Sequence, residues 1–117
     1  MKKGFEESET RKNLMRAFAG ESQARNRYTF AASQAKKQKL PVLQMVFAYT
    51  ADQEKEHAEI FYDHLKDLAG ETIVIDGGYP VDIYEDVSRL LRAAEHNEKE
   101  EHEAVYPEFA RIAREEG

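Results

Sequence analysis

Apolar and polar positions over residues 9–38 recur with the spacing of one helix face. Small or apolar residues, separated mostly by steps of three and four, include Leu14, Ala17, Ala24, Tyr28, Ala31 and Ala35. Glu21 falls on the same stripe. This period is typical of a helix packed against partners. It predicts a helix over about residues 9–38, with Ser8 or Thr10 as its N-cap.

A second helix is predicted over residues 41–69. Pro41 suits the first turn of a helix, and Gly70 suits a left-handed terminator just after its end. The connection to the first helix is short, so the two helices should be antiparallel. The inward stripe of this second helix is expected to include Val46, Glu54, His57, Phe61 and Leu65.

A third helix is predicted over residues 83–116. Asp82 and Glu85 have the spacing of an N-terminal capping box, and the stripe that follows contains Leu90, Ala94, Glu98, Glu101, Val105 and Phe109. Pro107 lies inside this helix and lacks a backbone N–H. It should therefore kink the helix or interrupt it.

The connection over residues 70–82 is too rich in glycine and proline to be helical. In extended form it can span roughly 40 Å, and the second helix is roughly 43 Å long. The connection can thus run along the bundle and start the third helix parallel to the second. This predicts an all-α, ferritin-like four-helix bundle with one long crossover, whose fourth helix is missing from this chain. A short strand at residues 73–75 is an alternative for part of the crossover.

Composition narrows the class of protein further. The 117 residues predict one domain over 1–117, and a net charge of -6 without a basic patch argues against nucleic acid as a partner. The absence of cysteine excludes disulfides, thiolate zinc sites, iron–sulfur clusters and thiol catalysis. No signal peptide and no apolar run of about 18 residues are present, so no membrane association is expected. The expected location is the cytoplasm.

Five potential metal ligands lie on the apolar stripes: Glu21, Glu54, His57, Glu98 and Glu101. Burying one carboxylate costs several kcal/mol unless it is neutralised, paired or bound to a cation. Glu54 and His57, three residues apart, share a helix face, although this spacing alone often arises by chance. Oxygen-rich ligation with one imidazole suits iron or manganese better than structural zinc. On the pattern alone, Glu101 is either a ligand or an exposed edge residue.

Other residues have less specific patterns. Tyr28 and Tyr106 lie two helical turns from Glu21 and Glu98, which suits either the core or a hydrogen bond that holds a carboxylate. Gly20 would allow close helix approach or leave room beside Glu21. Three histidines lack ligand spacing and are expected at the surface: His64, His96 and His102.

Three segments resemble the di-iron domain of rubrerythrins: "AFAGESQARNRYTFAASQAKK" (17–37), "EKEHAEIFYDHL" (54–65) and "VYPEFARIAREEG" (105–117). The resemblance covers nearly the whole chain. It implies a ferritin-like bundle with a non-haem di-iron centre that reduces hydrogen peroxide to water. Its implied iron ligands are Glu21, Glu54, His57, Glu98 and Glu101, of which His57 and Glu101 would exchange with the redox state of one iron. Tyr28 and Tyr106 match tyrosines that hydrogen-bond around the site.

The sequence departs from the rubrerythrin pattern in two ways. It lacks the fourth helix with a second Glu-x-x-His, and it lacks the cysteines of a rubredoxin domain, so an external electron donor such as a rubredoxin is expected. The missing fourth helix and its Glu-x-x-His would come from the rest of a longer protein, from a different chain, or from a second copy in a homodimer. Manganese or zinc could replace iron. Ferritin-like iron oxidation by dioxygen and a non-catalytic helical scaffold are the alternative functions.

Overall fold

The computed structural model describes residues 4–117, and all regular structure within that range is helical. Four α-helices follow one another: α1 (Glu9–Lys37), α2 (Pro41–Asp63), α3 (Val87–Glu100) and α4 (Tyr106–Glu116). Short 3₁₀ turns lie at Phe5–Glu7 and Lys66–Leu68, and a wider π turn at Glu101–Val105 joins α3 to α4. The predicted all-α class is confirmed. None of the described helices is long and apolar enough to cross a bilayer.

Helices α1 and α2 form a tightly packed hairpin. Small buried side chains on α1, among them Ala24, Ala31 and Ala35, face Phe47 and Ala51 of α2. Such small residues let two helix axes approach closely. The start of α1 is capped by one of the two predicted residues, Ser8, whose hydroxyl accepts a hydrogen bond from the Arg11 N–H at 3.1 Å.

The inward face of α2 differs from the prediction. Phe47, Ala51, Glu54 and Ala58 are buried, whereas Val46 is 47% exposed. Val46 and His57 lie at the exposed edge of the buried face, although His57 still approaches Glu21 of α1. Phe47, which was not part of the predicted stripe, is buried in one cluster with the alanines of α1.

The ends of the crossover were predicted wrongly. Helix α2 was predicted to reach residue 69, but it ends at Asp63. Tighter turns follow it, and Leu65 within them is buried. Gly70 is left-handed as expected, with φ +91°, although it follows a 3₁₀ turn. Residues 73–75 form no strand with any described part of the chain.

Helix α3 begins at Val87, and its N-cap is Asp86, whose carboxylate accepts from the Ser88 N–H at 2.8 Å. The box predicted at Asp82 is not formed. Asp82 instead accepts a hydrogen bond from the Asn97 amide at 2.8 Å and lies 4.0 Å from the Arg27 guanidinium. These contacts hold the crossover against α1 and α3, which leaves the cap to Asp86.

Helices α3 and α4 run antiparallel to α1, and therefore parallel to α2, as predicted. Residues progressively earlier in α1 contact residues progressively later in the segment that contains α3 and α4. They are Gln34 with Glu85, Tyr28 with Glu98, Glu21 with Tyr106, and Thr10 with Glu116.

The predicted interruption near Pro107 is present as the π turn just before it. The Tyr106 N–H bonds to the Glu101 carbonyl, five residues back. Pro107 then lies in the first turn of α4, where a missing N–H costs little. The wider turn thus removes the clash that proline would cause inside a continuous α-helix.

Candidate metal centre

Three potential ligands from α1 and α2 converge at mid-length of the hairpin. Atoms of Glu21, Glu54 and His57 that can bind a metal all lie within 4.8 Å of one another. The His57 Nδ1 atom is 3.8 Å from a Glu21 oxygen and 3.9 Å from a Glu54 oxygen. These separations are too long for hydrogen bonds and leave space for an ion between the three side chains.

The two carboxylates of this group are buried without full hydrogen bonding. Glu21 and Glu54 are each 4% exposed, and the Oε2 atom of each has no hydrogen-bond partner among the described residues. An unpaired buried carboxylate oxygen is costly. A cation at this point would remove that cost, so the donor set fits a metal ion of the oxygen-preferring kind.

Two tyrosines hold carboxylates on opposite sides of the centre. The Tyr106 hydroxyl donates to Glu21 Oε1 at 2.6 Å, and the Tyr28 hydroxyl donates to Glu98 Oε1 at 3.0 Å. Both bonds join α1 to the α3–α4 segment. The rings are fixed by stacking, Tyr28 on Phe47 and Tyr106 on Phe61. Each tyrosine therefore restricts the position of one carboxylate.

Burial and mutual repulsion shift the titration of this acidic cluster. The pKa of Glu101 is raised to about 7, first by burial and then by the negative charges of Glu98 and Glu21. Burial also raises the pKa of Glu21, although the Tyr106 hydrogen bond opposes this. The pKa values of Tyr28 and Tyr106 are raised by burial and by their carboxylate partners. Both hydroxyls consequently stay protonated at neutral pH.

All five proposed ligands line one cavity of about 210 Å³, together with Tyr106. Tyr28 lies behind Glu98 and outside this cavity. The compact three-residue group, however, contains Glu21, Glu54 and His57 and leaves out Glu98 and Glu101. The five residues picked from the helical stripes thus line one cavity, and three of them form the compact group.

His102 is exposed, as we expected, and it also lines this cavity from its position in the π turn. Its spacing of four residues from Glu98 is a signal that could have placed it on the same face.

The fold and the site together define an all-helical, ferritin-like protein with a carboxylate-rich candidate metal site. The family model for rubrerythrin matches residues 12–117. The chain belongs to the rubrerythrin family, whose members are generally di-iron proteins of the oxidative stress response.

Three relatives give the extent of the similarity. Rubrerythrin of Clostridium perfringens is 44% identical over 98% of this chain and 60% of its own length. Rubrerythrin of Porphyromonas gingivalis is 47% identical over 100% of this chain and 57% of its own length. Rubrerythrin of Nitratidesulfovibrio vulgaris is 46% identical over 98% of this chain and 59% of its own length. The chain thus spans less than two thirds of the length of these relatives.

Proposed function

We propose that this chain forms the larger part of a non-haem di-iron peroxidase that reduces hydrogen peroxide to water. The observation that carries the proposal is the pair of buried, unpartnered oxygens on Glu21 and Glu54, both facing His57. Family membership supports an oxidoreductase with iron as its metal. Manganese or zinc remain substitutes, and a cytoplasmic location remains a prediction.

In the proposed site, Glu21, Glu54, His57, Glu98 and Glu101 would hold the metal ions. A bound ferrous pair would supply the two electrons that peroxide reduction consumes. The protein contributes hydrogen bonds that fix two of these carboxylates. Tyr106 keeps its hydroxyl proton and orients Glu21, while Tyr28 orients Glu98.

Two parts of the proposed enzyme must come from outside these 117 residues. One is a second Glu-x-x-His, because the di-iron bundles with this arrangement use two. We propose that it is supplied by further residues of a longer chain, by another chain, or by a second copy of this chain. The other part is an electron donor such as a rubredoxin, since the sequence has no cysteine to hold that type of iron.

Anaerobic iron loading followed by stopped-flow oxidation tests the proposal. We expect stoichiometric iron to be retained, and its oxidation by hydrogen peroxide to be faster than that of free ferrous iron and faster than oxidation by dioxygen. Glu54→Gln should lose iron because a neutral amide replaces a charged ligand. Glu56→Gln, an exposed position on the same helix, is the matched control and should keep it.

Two results would contradict the proposal in different ways. Retained iron that reacts faster with dioxygen would indicate ferritin-like iron oxidation. Iron content that is no higher in the unmodified chain than in Glu54→Gln would indicate a helical scaffold without a metal centre.

A further inference from the structure

A second cavity adjoins the metal centre on the side of the crossover. It has a volume of about 390 Å³ and lies between α1, residues 77–80 of the crossover and the α3–α4 segment. Much of its wall is apolar, formed by Ala17, Tyr79, Pro80, Val105 and Phe109. It is many times larger than the roughly 30 Å³ that one water molecule occupies in the liquid. Hydrogen peroxide alone therefore does not account for its size.

The two cavities share part of their walls. Glu101 and Tyr106 line both the larger cavity and the cavity of the metal centre. A molecule in the larger cavity can therefore present one end to these two polar side chains while its remainder contacts the apolar wall. This continuity connects the larger cavity to the proposed chemistry.

Gly20 keeps the α1 side of the cavity open. A Cβ atom added at Gly20 would meet its nearest neighbour, Cε1 of Tyr79, at 3.9 Å, an ordinary van der Waals distance. One methyl group fits there, whereas a branched side chain would extend into the cavity.

The charges around the cavity favour a neutral ligand. Arg16 donates to the carboxylates of Glu9 and Asp76, each within 2.8 Å. Arg27 donates to Gln23 at 2.6 Å and lies 4.0 Å from Asp82. Both arginines on the cavity wall are already matched by acidic partners, while Glu100 adds negative charge. An anionic ligand would meet net repulsion here.

We propose that this cavity binds the organic group of a neutral alkyl or aryl hydroperoxide, with its O–O–H end directed to Glu101 and Tyr106. This substrate class rests on the peroxidase function proposed above. Reduction of such a substrate breaks the O–O bond and consumes two electrons and two protons. It yields one alcohol and one water, and the electrons are those of the reduced iron pair in that function.

Binding can be measured without metal or turnover. The probe is 2-phenyl-2-propanol, the unreactive alcohol that corresponds to cumene hydroperoxide, titrated into the ¹⁵N-labelled, metal-free chain. We expect saturable shifts of the amide signals of Gly20, Gly77 and Gly78, which line the cavity. Gly20→Ala should retain binding, and Gly20→Leu should raise the Kd by about tenfold or more, a loss of about 1.4 kcal/mol.

Ser33→Leu is the matched control, since it adds the same side chain at an exposed position of α1 outside the cavity. It should bind the alcohol as the unmodified chain does, and circular dichroism should show equal helix content in all variants. Absence of saturable shifts at the three glycines would overturn the proposal. Equal affinity of Gly20→Leu and the unmodified chain would overturn it as well.

A second arm uses the iron-loaded, assembled protein. Gly20→Leu should lower kcat/KM by a larger factor for cumene hydroperoxide than for hydrogen peroxide, whereas Ser33→Leu should change neither. Equal factors for both peroxides would overturn the hydroperoxide site. Inactivity of the unmodified protein toward both peroxides would instead refute the peroxidase function, and the alcohol titration would still decide whether the cavity binds its ligand.

Discussion

The position of Glu101 in the fold changes the pKa of its carboxyl group. Its side chain lies in the π turn beside Glu98 and faces Glu21 across the cavity. Burial disfavours its charged form, and the two neighbouring carboxylates disfavour it further, so its pKa rises to about 7. In the metal-free chain a proton partly takes the place of the cation that this cluster would otherwise hold.

This shift predicts how the stability of the metal-free chain depends on pH. The folded chain holds a proton on Glu101 up to about pH 7, whereas the unfolded chain releases it near 4.5. The folded state therefore binds more protons between these values, and the free energy of unfolding should fall as pH rises from 5 to 8. The raised pKa of Glu21 acts in the same direction.

Urea unfolding of Glu101→Gln at pH 5, 6, 7 and 8 measures the effect. The neutral amide cannot titrate, so the decrease in unfolding free energy over this range should be smaller than in the unmodified chain. Glu103→Gln, exposed two residues away, should leave the decrease unchanged. Identical pH profiles for Glu101→Gln and the unmodified chain would contradict this assignment.

At the scale of single residues, the sequence predicted which side chains meet but not how closely. Carboxylates on apolar stripes identified Glu21 and Glu54, because their burial follows directly from helix periodicity. The separation of Glu98 and Glu101 from the compact group depends on the π turn and on hydrogen bonds from tyrosines. The π turn has no signature in helix periodicity, whereas the spacing of the tyrosines from Glu21 and Glu98 did point to this cluster, and the spacing of His102 from Glu98 could have done so.

At the scale of elements, the connection between α1 and α2 carries an unusual backbone conformation. Lys39 has φ +60°, in the left-handed region that favours glycine. It belongs to a Schellman motif, in which the Leu40 N–H bonds to the Ala35 carbonyl at 2.9 Å and the Lys39 N–H bonds to the Lys36 carbonyl at 3.0 Å. The motif fixes the tight return of the hairpin although its left-handed residue is a lysine.

Lys39→Gly should therefore stabilise the hairpin. A left-handed conformation costs a residue with a side chain about 1–2 kcal/mol, and glycine avoids this cost but loses more entropy on folding. We expect a net gain of about 0.5–1 kcal/mol in the free energy of unfolding, measured in urea. The neighbouring Gln38→Gly, where φ is -90°, is the control and should not stabilise. Equal effects of both substitutions would count against relief of backbone strain.

Element ends were the least predictable feature of the fold. Both Asp82 and Asp86 are chemically able to cap α3. Asp82 is instead held by Arg27 of α1 and by Asn97, about three turns further along α3, and Asp86 forms the cap. The end of α2 at Asp63 has no glycine or proline to mark it. Helix existence was predictable from local pattern, whereas these boundaries depend on tertiary contacts.

At the scale of the whole molecule, the described chain is elongated and open. Its radius of gyration is 16.3 Å, compared with about 13 Å for a compact domain of this length. Helix α1 packs chiefly against α2, and α3 and α4 add fewer contacts. Several apolar side chains of α2 are exposed, among them Val42, Met45, Tyr49 and Ile60. Because α3 and α4 together occupy one position of the bundle, three of its four positions are filled. The hairpin of α1 and α2 is its best-packed unit.

This unequal packing predicts where a bound cation changes the dynamics most. If Glu98 and Glu101 join Glu21, Glu54 and His57 as ligands, the ion links the loosely packed α3–α4 segment to the hairpin. Hydrogen exchange of the full chain, with and without Zn²⁺ as a redox-inert probe, should then show slower exchange around residues 54–57 and 98–106. Exchange around residues 36–42, remote from the site, should change little.

Variants and the pattern of protection make this experiment decisive. Glu54→Gln should abolish the zinc effect in both regions, whereas the exposed control Glu56→Gln should retain it. Slower exchange at residues 54–57 without any change at 98–106 would mean that the hairpin binds the ion alone. That result would remove Glu98 and Glu101 from the ligand set, and the raised pKa of Glu101 would then reflect only its burial beside Glu98 and Glu21.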